Sequence, residues 1–265
     1  MNGGSDLVLV DVNEDVHVAE LRFNRPGKGN AITGQMEELF FARLREVTGN
    51  PRISCVIISG EGRGFSGGYD IGEHVGSAQP ASAIDDWREF RGMLERWLSV
   101  RNAAIPVIAA IHGYCFGIAT VLGSMADLVV IAEDAQWGAA QLRAGGGSNG
   151  PPLALLVGQR KAREIEYRAA RLTGTEAVAI GWANYAVPAA EVRATAWELA
   201  EDIARTPREA LEGKKAAFNR LMDHQGLSAY LEDAALLHTV LNYSAPVQAL
   251  KADVAAHGFG SRSER

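Results

Sequence analysis

Residues 106–120 read Pro106-Val107-Ile108-Ala109-Ala110-Ile111-His112-Gly113-Tyr114-Cys115-Phe116-Gly117-Ile118-Ala119-Thr120, and the order of residue types in this stretch decides the fold. Val107 to Ile111 is a short continuous apolar run, the pattern of a strand buried on both faces. Gly113 and Gly117 then stand where a strand stops and a helix can begin. Backbone N–H groups there can face a ligand oxygen, and a helix N-terminus adds a favourable field. The same arrangement occurs upstream. The strand run Ile53 to Ser59 leads into Gly62-Arg63-Gly64-Phe65-Ser66-Gly67-Gly68-Tyr69-Asp70. Two such loops side by side would make an oxyanion hole. On pattern alone the plainer alternative stays open, that these glycines only make turns. Neither loop matches GxxxxGK[ST] or GxGxxG, so nucleotide phosphate chemistry has no support.

Working outward, Leu7 to Val12 and Val16, Val18, Leu21 and Phe23 suggest an opening hairpin that turns near Asn13-Glu14-Asp15. Thr33 caps a predicted helix over 34–48, with Glu37 and Glu38 near the positive end of its dipole. Ser82, with Asp85 three residues later, starts a second helix running to about Val100. Leu128 to Ala132 is a further strand. Strand alternating with helix predicts an α/β fold with a largely parallel or spiral sheet. After Val187-Pro188 the character changes. From Glu191 the chain is rich in Ala, Leu, Glu and Arg, and Pro207, Gly226 and Pro246 divide it into four predicted helices. Leu227, Tyr230, Leu231, Ala234, Leu237, His238 and Leu241 predict one apolar face, suited to packing or to a second subunit.

The 265 residues fit one main domain with an appendage. A hydrophobic share of 47% leaves ample material for a core, and a net charge of −6 argues against a broad nucleic-acid footprint. No apolar run approaches the roughly 18–20 residues that span a bilayer. The first residues lack the basic start and apolar stretch of a secretory signal, so a cytoplasmic location is expected. Cys55 and Cys115 make no disulfide framework, and the six histidines show no metal-ligand spacing.

A set of ordered motifs resembles the crotonase superfamily of enoyl-CoA hydratases and isomerases. They are Phe23-Asn24-Arg25-Pro26 with Asn30-Ala31, the Gly62 to Asp70 loop, Pro106 to Tyr114, and Ala126-Asp127-Leu128. Glu133-Asp134-Ala135-Gln136-Trp137-Gly138, Leu172-Thr173-Gly174, Gly181-Trp182-Ala183-Asn184 and Val187-Pro188 follow. The resemblance implies a crotonase-like spiral of ββα units over residues 1–190, carrying an acyl-CoA site. It implies a helical trimerisation region over 191–265, and hence a homotrimer or a dimer of trimers. The substrate would be an acyl-CoA thioester, with coenzyme A part of the substrate and no separate cofactor. By the family pattern the oxyanion donors are the amides of Tyr69 and Ile118, which follow Gly68 and Gly117.

The chain departs from the pattern where hydratases carry two glutamates. Val121 and Gln141 occupy those positions. Adding water to an enoyl thioester needs a base for the water and an acid for Cα. Neither valine nor glutamine exchanges a proton at neutral pH. Base-free chemistry such as decarboxylation is therefore favoured over hydration, and the alternative is a catalytically silent acyl-CoA-binding or assembly protein. Ile118 also replaces a glycine usual in the family and is expected to crowd one donor. Asn149 stands in a loop where several members place a pocket-facing polar residue, though Asn-Gly is also a common turn pair. Glu73 and His74 follow the first loop, with a surface position expected. The Tyr69 phenol is a candidate wall of the acyl pocket, or equally a packing group. His112, Asp70 and Asp127 read as architectural. Arg25, Lys28 and Arg63, with Lys214 and Lys215, form a candidate anion clamp for coenzyme A.

Overall fold

The computed structural model describes residues 7–70, 72, 80–139, 141–144 and 152–257. Val8–Asn13 (β1) and Val18–Phe23 (β2) form the expected antiparallel hairpin, in register from Val8 opposite Phe23 to Asn13 opposite Val18. Thr33 then caps Gly34–Gly49 (α1) by accepting the Met36 N–H at 3.2 Å. Cys55–Gly60 (β3) returns parallel to β2. The Ser82 hydroxyl caps Ala83–Arg101 (α2) by accepting the Asp85 N–H. Val107–Ile111 (β4) follows, then the short Tyr114–Phe116 (β5) and the helix Ile118–Met125 (α3).

Leu128–Ala132 (β6), Gln136–Gly138 (β7), Leu172–Thr173 (β8) and Tyr185–Val187 (β9) complete the strands. Leu153–Leu156 (α4), Gln159–Arg168 (α5) and Gly174–Ala179 (α6) lie between β7 and β9. The larger sheet has the order β1-β2-β3-β4-β6-β9 and is parallel beyond the hairpin. Its centre, β3 and β4, is buried along almost every residue, which is why those segments read as unbroken apolar runs. The smaller sheet, β5-β7-β8, lies in a second layer. Isolated parallel bridges pair Ser66 with Cys115 and Ile32 with Tyr69, carrying strand-like geometry from this layer into the two glycine loops.

Four helices end the described chain: Val192–Ala204 (α7), Arg208–His224 (α8), Leu227–Asn242 (α9) and Ala245–His257 (α10). The last break falls at Tyr243-Ser244, and Pro246 sits inside the first turn of α10, where its missing N–H costs no helical bond. Helix α7 packs across β2, β3, β4 and β6. The fully buried Glu20 carboxylate fastens it there by accepting from Ser59 Oγ at 2.6 Å, Trp197 Nε1 at 2.9 Å and Arg193 Nη2 at 2.7 Å. Although burial works against its charge, these hydrogen bonds hold the Glu20 carboxyl below its ordinary value.

The apolar pattern of α9 divides into two faces. Leu227, Leu231, Ala234 and Ala235 are buried, and the helix packs on α2. Leu236, Leu237, Val240 and Leu241 face outward, with Phe218 and Leu221 of α8 also exposed. No helix among the described residues is long and apolar enough to cross a membrane.

Candidate active site

The first glycine loop is held by a buried side chain read from the sequence only as part of a motif. Asn30, itself at positive φ, donates from Nδ2 to the carbonyls of Glu61 and Gly64, both at 2.8 Å, and accepts the Arg25 N–H at 2.8 Å. Ser66 Oγ donates to Asn30 O at 2.7 Å and accepts the Gly68 N–H at 3.1 Å. Ile32 N donates to Gly68 O at 2.8 Å, and Asp70 N donates to Ile32 O at 2.9 Å. Alternation along an extended backbone then directs the N–H of the intervening Tyr69 to the opposite side of the segment.

The second loop is joined to the first by Phe116 N donating to Ser66 O at 3.1 Å. Gly117 has φ 58° and ψ −126°, a conformation costly for any residue with a Cβ, and it opens the eight-residue α3 at Ile118. Gly68, at φ +97°, lies against this turn. A Cβ on Gly68 would come within 2.9 Å of Phe116 O, and one on Gly117 within 3.6 Å of Gly68 Cα. The residues after these glycines are Tyr69 and Ile118, whose amides are the expected oxyanion donors. The Ile118 N–H belongs to the first turn of α3, where an amide has no partner within the helix.

Around this pair the side chains are placed as follows. Val121 is 1% exposed, in a helix whose residues are all buried. Gln141 reaches the second glycine loop, donating from Nε2 to Gly117 O at 3.1 Å, while its buried Oε1 has no partner among the described residues. The Ile118 side chain, expected to crowd one donor, points into the protein. It is buried and lines a cavity of about 10 Å³ with Phe23, Ile32, Glu37, Phe40, Phe41 and Leu122.

The Tyr69 phenol donates to Glu37 Oε1 at 2.5 Å and accepts from Trp97 Nε1 at 3.1 Å. Glu37 Oε2 pairs with Arg96 at 3.3 Å. Burial, and then the neighbouring Glu37 charge, push the phenol's pKa well above its ordinary value, so it stays protonated. Glu37, Arg96 and Trp97 were not foreseen as site residues. The available signal was the spacing Glu37-Phe40-Phe41-Leu44, which puts a carboxylate on the apolar face of α1.

The candidate coenzyme A residues separate. Arg25 is engaged within the fold, donating to Asp70 Oδ2 at 2.5 Å and to Ala31 O at 3.2 Å. Lys28 and Arg63 are exposed and available to an anion. Lys215 is not. It is 4% exposed and donates to Asp127 Oδ2 at 2.6 Å and to Ile105 O at 2.9 Å, binding α8 to the sheet. Its place in the anion clamp is withdrawn. Lys214 lies over the Phe218 ring, 4.6 Å from its centroid. Asp127 also accepts the Val107 N–H at 2.7 Å, and the His112 ring nitrogen meets Gly62 O at 2.9 Å, both architectural as read. Asn149, Glu73 and His74 lie outside the described residues. Burial pushes the thiols of Cys55 and Cys115 up to about 12, leaving them inert. Among the described residues no cluster of His, Cys, Asp or Glu could hold a metal ion.

A family model described as enoyl-CoA hydratase/isomerase matches residues 13–251. The chain belongs to the enoyl-CoA hydratase/isomerase family. Among solved structures, an enoyl-CoA hydratase/isomerase from Xanthobacter autotrophicus Py2 superposes with a TM-score of 0.87 at 25% identity, over 96% of this chain and 94% of that one. An enoyl-CoA hydratase from Mycobacterium smegmatis gives 0.83 at 26% identity, over 96% and 90%. In sequence, a (7aS)-7a-methyl-1,5-dioxo-2,3,5,6,7,7a-hexahydro-1H-indene-carboxyl-CoA hydrolase from Rhodococcus jostii (strain RHA1) is 31% identical over 64% of this chain and 65% of its own length.

Proposed function

We propose that the protein binds an acyl-CoA thioester with its carbonyl oxygen between the amides of Tyr69 and Ile118, and that it stabilises the thioester enolate formed there. The close approach of Gly68 to the second loop at Phe116 and Gly117 supports this reading, because Gly68 and Gly117 each precede one donor residue. With valine at 121 and glutamine at 141, neither able to exchange a proton, the reaction favoured is one that makes an enolate without a base. In a malonyl-type thioester the bond from Cα to the carboxylate breaks, carbon dioxide leaves, and its bonding pair becomes the enolate. Water then returns a proton to Cα. Two amides aimed at the developing oxyanion contribute through preorganisation, at no cost in reorganisation during the step. Gln141, whose amide already donates to Gly117 O, holds the turn that presents the Ile118 N–H. Coenzyme A enters with the substrate, and Lys28 and Arg63 are its candidate anion contacts.

Tyr69→Pro removes one donor. The expected result is a fall of about 100-fold or more in malonyl-CoA decarboxylation, in a variant whose circular dichroism shows that it still folds. Turnover that survives in the folded variant rejects the hole.

The second reading is a silent acyl-CoA-binding protein, favoured by the same Val121 and Gln141. It predicts saturable binding of acetyl-CoA with no conversion of any thioester. For either reading we assign residues 1–190 to the thioester-binding core, 191–265 to subunit contact, and the whole to the cytoplasm. The exposed stripe of Leu236, Leu237, Val240 and Leu241 on α9 supports the subunit assignment. Sedimentation as a trimer or hexamer, reduced to monomer by Leu237→Asp with Val240→Asp, is the expected check.

A further inference from the structure

The residue placed as one oxyanion donor is held at its far end by a carboxylate that decarboxylation does not use. Tyr69 follows Gly67 and Gly68, and Gly68 adopts φ +97°, so the chain entering Tyr69 is at its most permissive. The Ile32 ladder fixes the peptide from one side, through Gly68 O and Asp70 N. The phenol fixes it from the other, between Glu37 Oε1 at 2.5 Å and Trp97 Nε1 at 3.1 Å.

Glu37 is 9% exposed, on a helix face otherwise made of Met36, Phe40, Phe41 and Leu44. A carboxylate there is costly unless paired, and Arg96, 3.3 Å away on α2, supplies the charge. Glu37 and Ile118 also line the same small cavity. One residue thus bonds the side chain of the first donor residue and shares a cavity with the second.

We infer that Glu37 is a positioning residue which, through the Tyr69 phenol, sets the direction of the Tyr69 N–H toward the point it shares with the Ile118 N–H. This rests on the oxyanion-hole reading proposed above. A donor turned off that point loses much of its effect, because the stabilisation depends on distance and aim. Arg96 balances the charge, so the anchor brings no uncompensated negative charge up to the enolate.

The test reads the hole itself, apart from any reaction. Acetyl-CoA labelled with carbon-13 at the thioester carbonyl is bound to the full-length protein, and its carbonyl stretch is followed by isotope-edited infrared spectroscopy. The wild-type protein is expected to lower that frequency relative to free acetyl-CoA. Tyr69→Phe and Glu37→Leu are each expected to lose about half or more of the shift, since one donor of the pair is misaimed. Glu37→Gln keeps an oxygen that accepts from the phenol and is expected to retain most of it. A role in stability alone would lower the melting temperature of these variants and leave the bound carbonyl frequency at its wild-type value, which would overturn the inference. So would Glu37→Gln losing as much as Glu37→Leu, because the effect would then follow charge and not the phenol hydrogen bond. Should Glu37→Leu not fold, the near-isosteric Tyr69→Phe carries the test. No shift in the wild-type protein would instead reject the hole, and the positioning role with it.

Discussion

The two glycine loops and the face of α2 meet at Tyr69, and they are built on opposite principles. The loops are made by backbone. Gly68 can lie against the second loop because it has no Cβ, and the proposed donors are peptide groups, which only a substitution to proline removes. The α2 side is made by side chains brought together from distant parts of the chain. Tyr69 meets Trp97 and Glu37, Arg96 meets Glu37, and Asn242 of α9 donates to Asp86 at 2.9 Å. A backbone site can persist in a family while the side chains around it are exchanged. What the proposed hole can do is set by peptide geometry. Which reaction it serves is set by the side chains.

That contrast is most severely strained by Val121→Glu. At 1% exposure a carboxylate there has neither water nor a partner, so the variant is expected to lose about 3 kcal/mol or more in urea unfolding. A variant that keeps wild-type stability, and with Gln141→Glu hydrates crotonyl-CoA, would show that residue 121 faces an open pocket. Gly68→Ala attacks the backbone side. Its Cβ would sit 2.9 Å from Phe116 O at a positive φ, for a strain of about 1–3 kcal/mol. Decarboxylation is expected to fall about 100-fold as the two loops are forced apart. Full activity in the folded variant would mean that the donors need no such approach.

The mildest effect belongs to the side-chain web. His238 stacks on Phe90 with ring centroids 3.9 Å apart, and burial lowers its pKa from 6.5 to about 4. The folded protein therefore binds fewer protons than the unfolded chain between those values. The stability His238 contributes is complete above about pH 6.5 and is lost as the pH falls toward 4. In His238→Phe, which keeps the stack, unfolding free energy between pH 7 and pH 5 is expected to fall by roughly 1 kcal/mol less than in the wild type, after allowance for partial exposure. Equal losses in both proteins would place the acid sensitivity elsewhere.

The same contrast explains what was legible in the sequence. The opening hairpin, the Thr33 and Ser82 caps and the buried strands are encoded by neighbours in the chain, and each formed within a residue or two of its expected bounds. The glycine loops were legible for the same reason, since a turn and a close approach both demand small residues. Lys215 was misread because its partner Asp127 lies 88 residues away, and nothing in Gly213-Lys214-Lys215-Ala216 marks it as buried. Glu37 was read only as a charge near the α1 dipole, although its place on the apolar face hinted at a partner. The pattern of α9 gave its apolar residues but not their division between α2 and the outside. That division depends on where α2 lies.

The central question is whether the proposed site makes an enolate without a glutamate. Incubation of the purified protein with malonyl-CoA in heavy water, followed by mass spectrometry of the thioester, asks that directly. The account predicts loss of carbon dioxide and acetyl-CoA carrying a solvent deuteron at Cα. Malonyl-CoA recovered unchanged, while crotonyl-CoA gains water under the same conditions, would contradict it.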